Sequence, residues 1–296
     1  MMYQSFYNLS GVPFAFAPNP ACFYANDYTR ESLRTLRRVI GRAEGTALVV
    51  GPTGTGKSTV CQLVVDHFGS SHQIVHLHSA GFSTRRAMVE QCLLCLGVTT
   101  EGQSEAHLRT ALRRHLFNLV DHPQQVLMVV DEAHLMTPEM AAELRMLHNL
   151  VHDGSIRIGM VLAGTLKLEE LLAHPTLESF NQRVAHRCYL AAASRMETKS
   201  LINEQLVQVG SSVSKVFTQN ALRRIYEFTE GVPRVINLLA DRCLVLGCAR
   251  KVAMIDEFDV EIAWADLQQL PEPKPEAPPQ PATAPAAVEF GVLSDG

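Results

Sequence analysis

The sequence lacks an apolar run of the roughly 20 residues that a membrane-spanning helix needs, so no transmembrane segment is expected. It also lacks the basic stretch that opens a signal peptide, because the first charged residue is Asp27. The expectation is a soluble, cytoplasmic chain. An excess of positive charge is missing too: net charge is −4 and the pI about 6.3. That excludes a nucleic-acid binder working by bulk charge and leaves only a local basic face. The seven cysteines (22, 61, 92, 95, 188, 243 and 248) are odd in number and scattered, so no disulfide framework is expected. Cys92 and Cys95 form a C-x-x-C within a helical stretch but lack a second pair. Buried thiols are expected there rather than zinc or redox chemistry.

What is present is enough apolar residue, 47% of 296, for one large domain or two smaller ones. Residues 1–30 are aromatic and proline-punctuated and read as an ordered, non-helical arm. Residues 29–43 read as a helix, with Leu33, Leu36 and Ile40 on one face. Beyond it, strands at 46–50, 73–78, 126–130, 156–162 and 187–190 alternate with helices near 59–66, 83–97, 104–120 and 137–151. Such alternation predicts an α/β fold, a parallel sheet with helices on both faces. From about residue 191 the pattern changes to helices at 195–209, 217–228, 232–249 and 255–269 with no strand between. That predicts a smaller all-helical lid subdomain. The expected divisions are 1–190, 191–270 and a Pro/Ala-rich tail at 271–296, which has too little apolar surface to offset its ordering entropy.

The strongest signal is Gly51-Pro-Thr-Gly-Thr-Gly-Lys-Ser58, a complete phosphate loop between an apolar strand and a helix. A glycine-rich turn opening a helix points several backbone N–H groups at one spot, where the helix dipole also favours an anion. Gly51, Pro52, Thr53, Gly54, Thr55, Gly56, Lys57, Ser58 and Thr59 are the candidate nucleotide-binding residues. Lys57 is expected on the β- and γ-phosphates and Ser58 on Mg²⁺. The apolar run Val126–Val130 ends in Asp131-Glu132. Asp131 suits the Mg²⁺ shell, and Glu132 suits the general base that polarises the attacking water.

Three weaker candidates follow. Thr165, in Ala163-Gly-Thr165, fits either a polar residue between the two acids and the γ-phosphate or an ordinary Gly-Thr turn. Arg183 and Arg187 precede the last strand. They fit either transition-state contacts in a neighbouring subunit's site or plain surface charge. Arg234 sits in the first turn of a helix opened by Gly231-Val-Pro. A cation there opposes the helix dipole, which is easier to explain if it faces an anion across a cleft.

In this order the motifs resemble an AAA+ ATPase with a helical lid, over residues 1 to about 270. Within that class the chain is similar to the general secretion pathway protein A family. Gly11-Val-Pro-Phe14 with Pro18-Asn-Pro20 resembles its opening, Asn181-Gln-Arg-Val184 its arginine-finger box, and Gly231-Val-Pro-Arg-Val-Ile-Asn237 its sensor-2 box. Transposition helper ATPases share much of this. The resemblance implies Arg183 as the finger, Thr165 as sensor 1 and Arg234 as sensor 2. The family commonly carries Gln where this chain has Thr165. Its members often continue into a transmembrane segment and a peptidoglycan-binding domain, neither of which is in this sequence.

The function expected is MgATP hydrolysis by a homo-oligomer that remodels or assembles a protein partner, as in secretion. The alternative is a DNA-associated ATPase that helps a transposase. Residues 195–251 carry nine Lys/Arg against five Asp/Glu, which favours DNA mildly, although no aromatic stacking platform accompanies them. A nucleotide-dependent kinase is disfavoured, since Asp131-Glu132 with Arg234 suits water activation better than a bound acceptor.

Overall fold

The computed structural model describes residues 2–15, 19–78, 81–118, 125–149, 158–271 and 273. Five strands form one sheet: β1 (Thr46–Val50), β2 (His72–His78), β3 (Gln125–Asp131), β4 (Ile158–Gly164) and β5 (Val184–Tyr189). Their order is β2-β3-β4-β1-β5, and every pairing is parallel. All residues of β1 and β4 are buried, as expected of strands covered on both faces. The alternation is explicit in β1. Leu48 and Val50 join one apolar cluster with Met128, Val130, Met160 and Leu162. Ala47 and Val49 join another with Leu127, Val129, Val161 and Ala163.

The second of these clusters is closed by α2 (Asp27–Gly41) and α3 (Lys57–Phe68), through Leu36, Ile40, Val60 and Val64. The first is closed by α4 (Arg85–Cys95), α5 (Glu105–Asn118) and α6 (Pro138–Asn149), through Met88, Leu93, Leu108, Leu112 and Leu144. Asn26 starts α2 two residues before the expected point by accepting from the Thr29 N–H. Two short helices, α7 (Lys167–Leu172) and α8 (Glu178–Asn181), lead from β4 to β5. The fifth strand begins at Val184, three residues before the sequence pattern suggested. The first two residues of the expected fourth strand, 156 and 157, lie outside the described residues.

The lid contains α9 (Arg195–Gln208), α10 (Val213–Val216), α11 (Gln219–Thr229), α12 (Pro233–Arg250) and α13 (Glu257–Leu267). Capping boxes open α9, through Ser194 and Glu197, and α13, through Asp256 and Asp259. The lid has its own apolar core, including Ile202, Leu206, Ile225, Leu239, Leu244 and Val260. Of the expected tail, only Pro271 and Pro273 lie within the described residues.

The N-terminal arm departs from expectation. Met2–Phe6 form a short helix, α1, and Tyr7, Leu9 and Phe14 are buried in the lid core. Tyr3 Oη donates to Asp241 Oδ1 at 2.7 Å, and Tyr7 Oη donates to the Val252 carbonyl at 2.8 Å. Burial pushes both phenols up from their ordinary pKa, Tyr3 with help from its bond to Asp241. Tyr3 and Tyr7 stand four residues apart, one helical turn, and a proline-rich reading of the arm conceals that spacing.

The α/β layer meets the lid at Gly231. Its φ is +75°, its carbonyl accepts from the Ala193 N–H at 2.8 Å, and a Cβ there would collide with the Ala193 backbone. The Gly231→Ala variant is expected to lose about 2 kcal/mol or more, from left-handed strain plus the clash. Urea unfolding against the wild type measures this.

Candidate nucleotide site

Residues 51–56 leave the carboxyl end of β1 between its two neighbours. The Gly51 N–H donates to the Gly164 carbonyl at the end of β4 at 3.1 Å. The Val50 carbonyl accepts from the Leu190 N–H, just past β5, at 2.7 Å. Gly54 and Gly56 have φ of +84° and +101°, a conformation that side-chain-bearing residues rarely adopt. Close approach matters as much. A Cβ at Gly54 would lie 2.9 Å from Val232 Cγ1, and one at Gly56 3.1 Å from Phe23 Cε2. Gly56 then caps α3 without a side chain, leaving that N-terminus open to an anion.

Lys57 is 5% exposed. Its ammonium donates to the carbonyls of Gly51 at 3.0 Å and Pro52 at 2.9 Å. Thr55 Oγ1 also donates to the Pro52 carbonyl, at 2.8 Å. The lysine is therefore held inside the loop that it would serve. Asp131 closes β3, is 3% exposed, and accepts from the Glu132 N–H at 2.8 Å. The charges converge on α3. The buried Cys61 thiol is pushed well above its ordinary pKa by burial first and by Asp131 second, with Lys57 opposing.

Glu132 takes left-handed backbone angles, φ 52° and ψ 33°, a conformation costing on the order of 1–2 kcal/mol for a residue with a side chain. That turn carries its carboxylate away from β3 and towards the cleft. His134 Nε2 lies 3.6 Å from Glu132 Oε2. No reading of the sequence singled out His134; its only sequence signal is its place two residues after the acid.

The cleft is about 820 Å³ and lies between the α/β layer and the lid, within the usual size range of ligand sites. Thr53–Thr59, Glu132 and Arg234 line it. Arg234 is placed by α12, whose first turn holds Pro233; the Arg234 N–H donates to the Gly54 carbonyl at 3.2 Å. Phe23, Tyr24 and Asn26 of the arm line the cleft as well. The sequence assigns these only to an ordered arm, with the aromatic cluster as its visible signal. Asn26 Nδ2 ties arm to lid by donating to Glu197 Oε1 at 2.7 Å.

Other candidates sit elsewhere. Thr165 follows β4 directly and is not among the cleft's lining residues. Its Oγ1 is buried with no hydrogen-bond partner among the described residues. Arg183 lies at the amino ends of β1 and β5, opposite to the end that carries the phosphate loop. Its carbonyl accepts from Thr46 N–H at 3.0 Å, so about a strand length, roughly 15 Å at 3.3 Å per residue, separates it from the loop of its own chain. Arg187 is tied down: it donates to Asn181 Oδ1 at 2.7 Å and pairs with Glu169 at 3.4 Å.

The positive balance counted over 195–251 does not extend through α13, and several of the lid's arginines are paired. Arg224 pairs with Glu227, Glu257 and Glu261 at 3.0, 2.7 and 2.8 Å. Arg223 pairs with Glu257 at 3.1 Å, Arg242 with Asp266 at 2.5 Å and Arg250 with Asp259 at 3.5 Å. Helix α13 and the turn before it supply five acids that the count over 195–251 stopped short of. Over 195–270 the lid has nine basic and ten acidic residues.

Residues 39–172 match the family model described as AAA domain. Over 265 residues the chain is 29% identical to the general secretion pathway protein A of Aeromonas hydrophila, covering 88% of this chain and 48% of that protein. It therefore spans about half the length of the curated relative it matches. Among solved structures, the Aeropyrum pernix ORC2 protein in its ADPNP-ADP complexes superposes with a TM-score of 0.65 at 15% identity, covering 85% of this chain and 71% of that one. Drosophila ORC bound to DNA gives 0.70 at 14% identity, covering 90% and 66%. The Thermotoga maritima RuvB Holliday junction branch migration motor gives 0.59 at 16% identity, covering 86% and 73%. The fold is that of AAA+ P-loop ATPases, a five-stranded parallel sheet with helices on both sides and a helical C-terminal region. Among the described residues no helix is long and apolar enough to cross a membrane.

The thiols of the C-x-x-C differ from expectation. Cys92 is buried, its pKa pushed up to about 12 chiefly by burial, but Cys95 is exposed, because α4 turns it off the core face. Native protein treated with a thiol-labelling reagent should react at Cys95 well before Cys61, Cys92 and Cys243, all of which are buried. Peptide mapping after a short exposure checks the order.

Proposed function

We propose that the protein binds and hydrolyses MgATP as a cytoplasmic homo-oligomer and uses the cycle to remodel or assemble a protein partner. The observation that carries this reading is a single cleft lined at once by the phosphate loop, Glu132 and Arg234. The open N-terminus of α3 and the N–H groups among Thr53–Thr59, which line the cleft, bind the phosphates. Lys57 leaves the Gly51 and Pro52 carbonyls for the β- and γ-phosphates. Ser58 and Asp131, a hydroxyl and a carboxylate, are the oxygen donors suited to Mg²⁺, and the glycine cradle leaves room for the phosphates beside them. Bound there, Mg²⁺ neutralises charge on the phosphate oxygens. Glu132 accepts the proton of the attacking water. Thr165, whose buried hydroxyl has no hydrogen-bond partner among the described residues, orients the site. Arg234 contacts the γ-phosphate from the lid and couples lid position to nucleotide state.

Similarity to the Aeromonas protein supports a secretion-pathway partner. The DNA-associated alternative has lost the net positive balance that favoured it mildly. It predicts ATP-dependent DNA binding that weakens steeply with salt; a titration showing that binding would restore it.

The Lys57→Ala variant is expected to lose nucleotide binding. The Glu132→Gln variant should keep binding but turn over about 10²–10⁴-fold more slowly, because the amide fills the space without accepting a proton. Wild-type turnover by Glu132→Gln would remove Glu132 as the base.

Arg183 cannot serve the cleft of its own chain, so its role is in trans, at a neighbour's γ-phosphate. Specific activity should rise with protein concentration. The Arg183→Ala variant should bind ATP normally and turn over about 10³–10⁵-fold more slowly, the range found for isolated arginine fingers. Mixing it with Lys57→Ala should restore activity, since one protomer brings an intact site and the other an intact finger. Turnover independent of concentration, with no loss in Arg183→Ala or Arg187→Ala, would mark a self-sufficient monomer.

A further inference from the structure

Two side-chain carbonyl oxygens on the lid side of the cleft have no hydrogen-bond partner among the described residues: Gln205 Oε1 on α9 and Asn237 Oδ1 on α12. Both residues line the cleft. Gln205 is 4% exposed, so its amide is more than nine-tenths buried. A buried acceptor left unpaired costs about 1–3 kcal/mol, which a ligand that donates to it recovers. Asn237 cannot satisfy itself by turning its amide over. Its Nδ2 donates to the Ala15 carbonyl at 3.4 Å, and that bond keeps Oδ1 as the free end. The cleft walls between these amides and the phosphate loop include Phe14, Phe23 and Leu201, apolar surfaces suited to a flat ring.

We infer that Gln205 and Asn237 read the base of the bound nucleotide by accepting from an exocyclic amino group, and so select a 6-aminopurine. This rests on the proposed nucleotide reading of the cleft. An adenine amino group carries two hydrogens, one for each acceptor. A 6-oxopurine would set its own carbonyl oxygen against the Asn237 acceptor, which the bond to Ala15 holds in place, leaving acceptor facing acceptor. Gln205 lies one and two helical turns beyond Leu201 and Glu197, which also line the cleft. One face of α9 thus runs along the site, with the amide at the end farthest from the Asn26–Glu197 tie.

The test is equilibrium binding to the full chain, with Mg²⁺, of ATP, of ITP (a 6-oxo base) and of purine riboside triphosphate, which carries only hydrogen at C6. Wild-type protein should bind ATP about tenfold more tightly than purine riboside triphosphate, and ITP more weakly still, as expected for one net hydrogen bond to the amino group. The Gln205→Met variant, similar in size but without the acceptor, should bring ATP and purine riboside triphosphate to within about threefold by weakening ATP alone. The Gln205→Glu variant keeps an acceptor oxygen and should keep the preference. Equal wild-type affinity for ATP and purine riboside triphosphate overturns the inference without any variant having to fold. So does a preference unchanged in Gln205→Met. If wild-type protein and Lys57→Ala alike bind none of the three, the nucleotide reading fails and takes the inference with it.

Discussion

Everything in this protein is arranged around the corner at Val50–Gly51. Central strand β1 must stop there, turn without side chains in the way, and restart as α3. Two backbone bonds to the ends of β4 and β5 pin that corner, and the Lys57 ammonium bridges its carbonyls from inside. Burying an ammonium is costly unless it is fully hydrogen-bonded. Partly paired by two neutral carbonyls, Lys57 would gain by exchanging them for phosphate oxygens, a much stronger partner, under the proposed nucleotide reading. The phosphate loop is thus rigid in its frame and electrostatically unsatisfied at its centre.

The lid answers the same constraint from the other side. Gly231 and Ala193 meet backbone to backbone, and the Arg234 N–H bonds to the Gly54 carbonyl. A change in the loop is therefore passed directly to α12. The arm forms a second link. Tyr3 and Tyr7 anchor it to the lid, Phe23 sits against Gly56, and Asn26 both starts α2 and bonds to Glu197. Arm, loop and lid share one cleft, so closing it on a ligand moves all three.

Charge on the lid shows why local counts mislead. Read through residue 251, the segment is basic. The partners of its arginines arrive with α13, which packs against α11 and α12. An arginine bonded to two or three carboxylates offers little to a phosphate backbone, whatever the sum over a sequence window. The same holds for Arg183, just before β5, and Arg187 within it. Their spacing made them equal, but the fold ties Arg187 to Glu169 and Asn181 and leaves Arg183 at the amino ends of β1 and β5, far from its own loop.

The sequence by itself determined the α/β alternation, the helical lid, the phosphate loop and the Asp131-Glu132 pair. Each of these is written in contiguous residues: period-2 or unbroken apolar strands, glycines at obligatory turn positions, acids at a strand end. It did not disclose the arm's docking on the lid, the exposure of Cys95, the ion pairs of the lid arginines or the side-chain carbonyl oxygens of Gln205 and Asn237, which have no hydrogen-bond partner among the described residues. Those depend on which residues, distant in the chain, share a surface. Tyr7 meets Val252 only because α12 folds back across the lid, and Asn237 keeps its carbonyl free only because Ala15 takes its amide. Pairing across more than two hundred residues leaves no periodicity to read. Packing alone decides it.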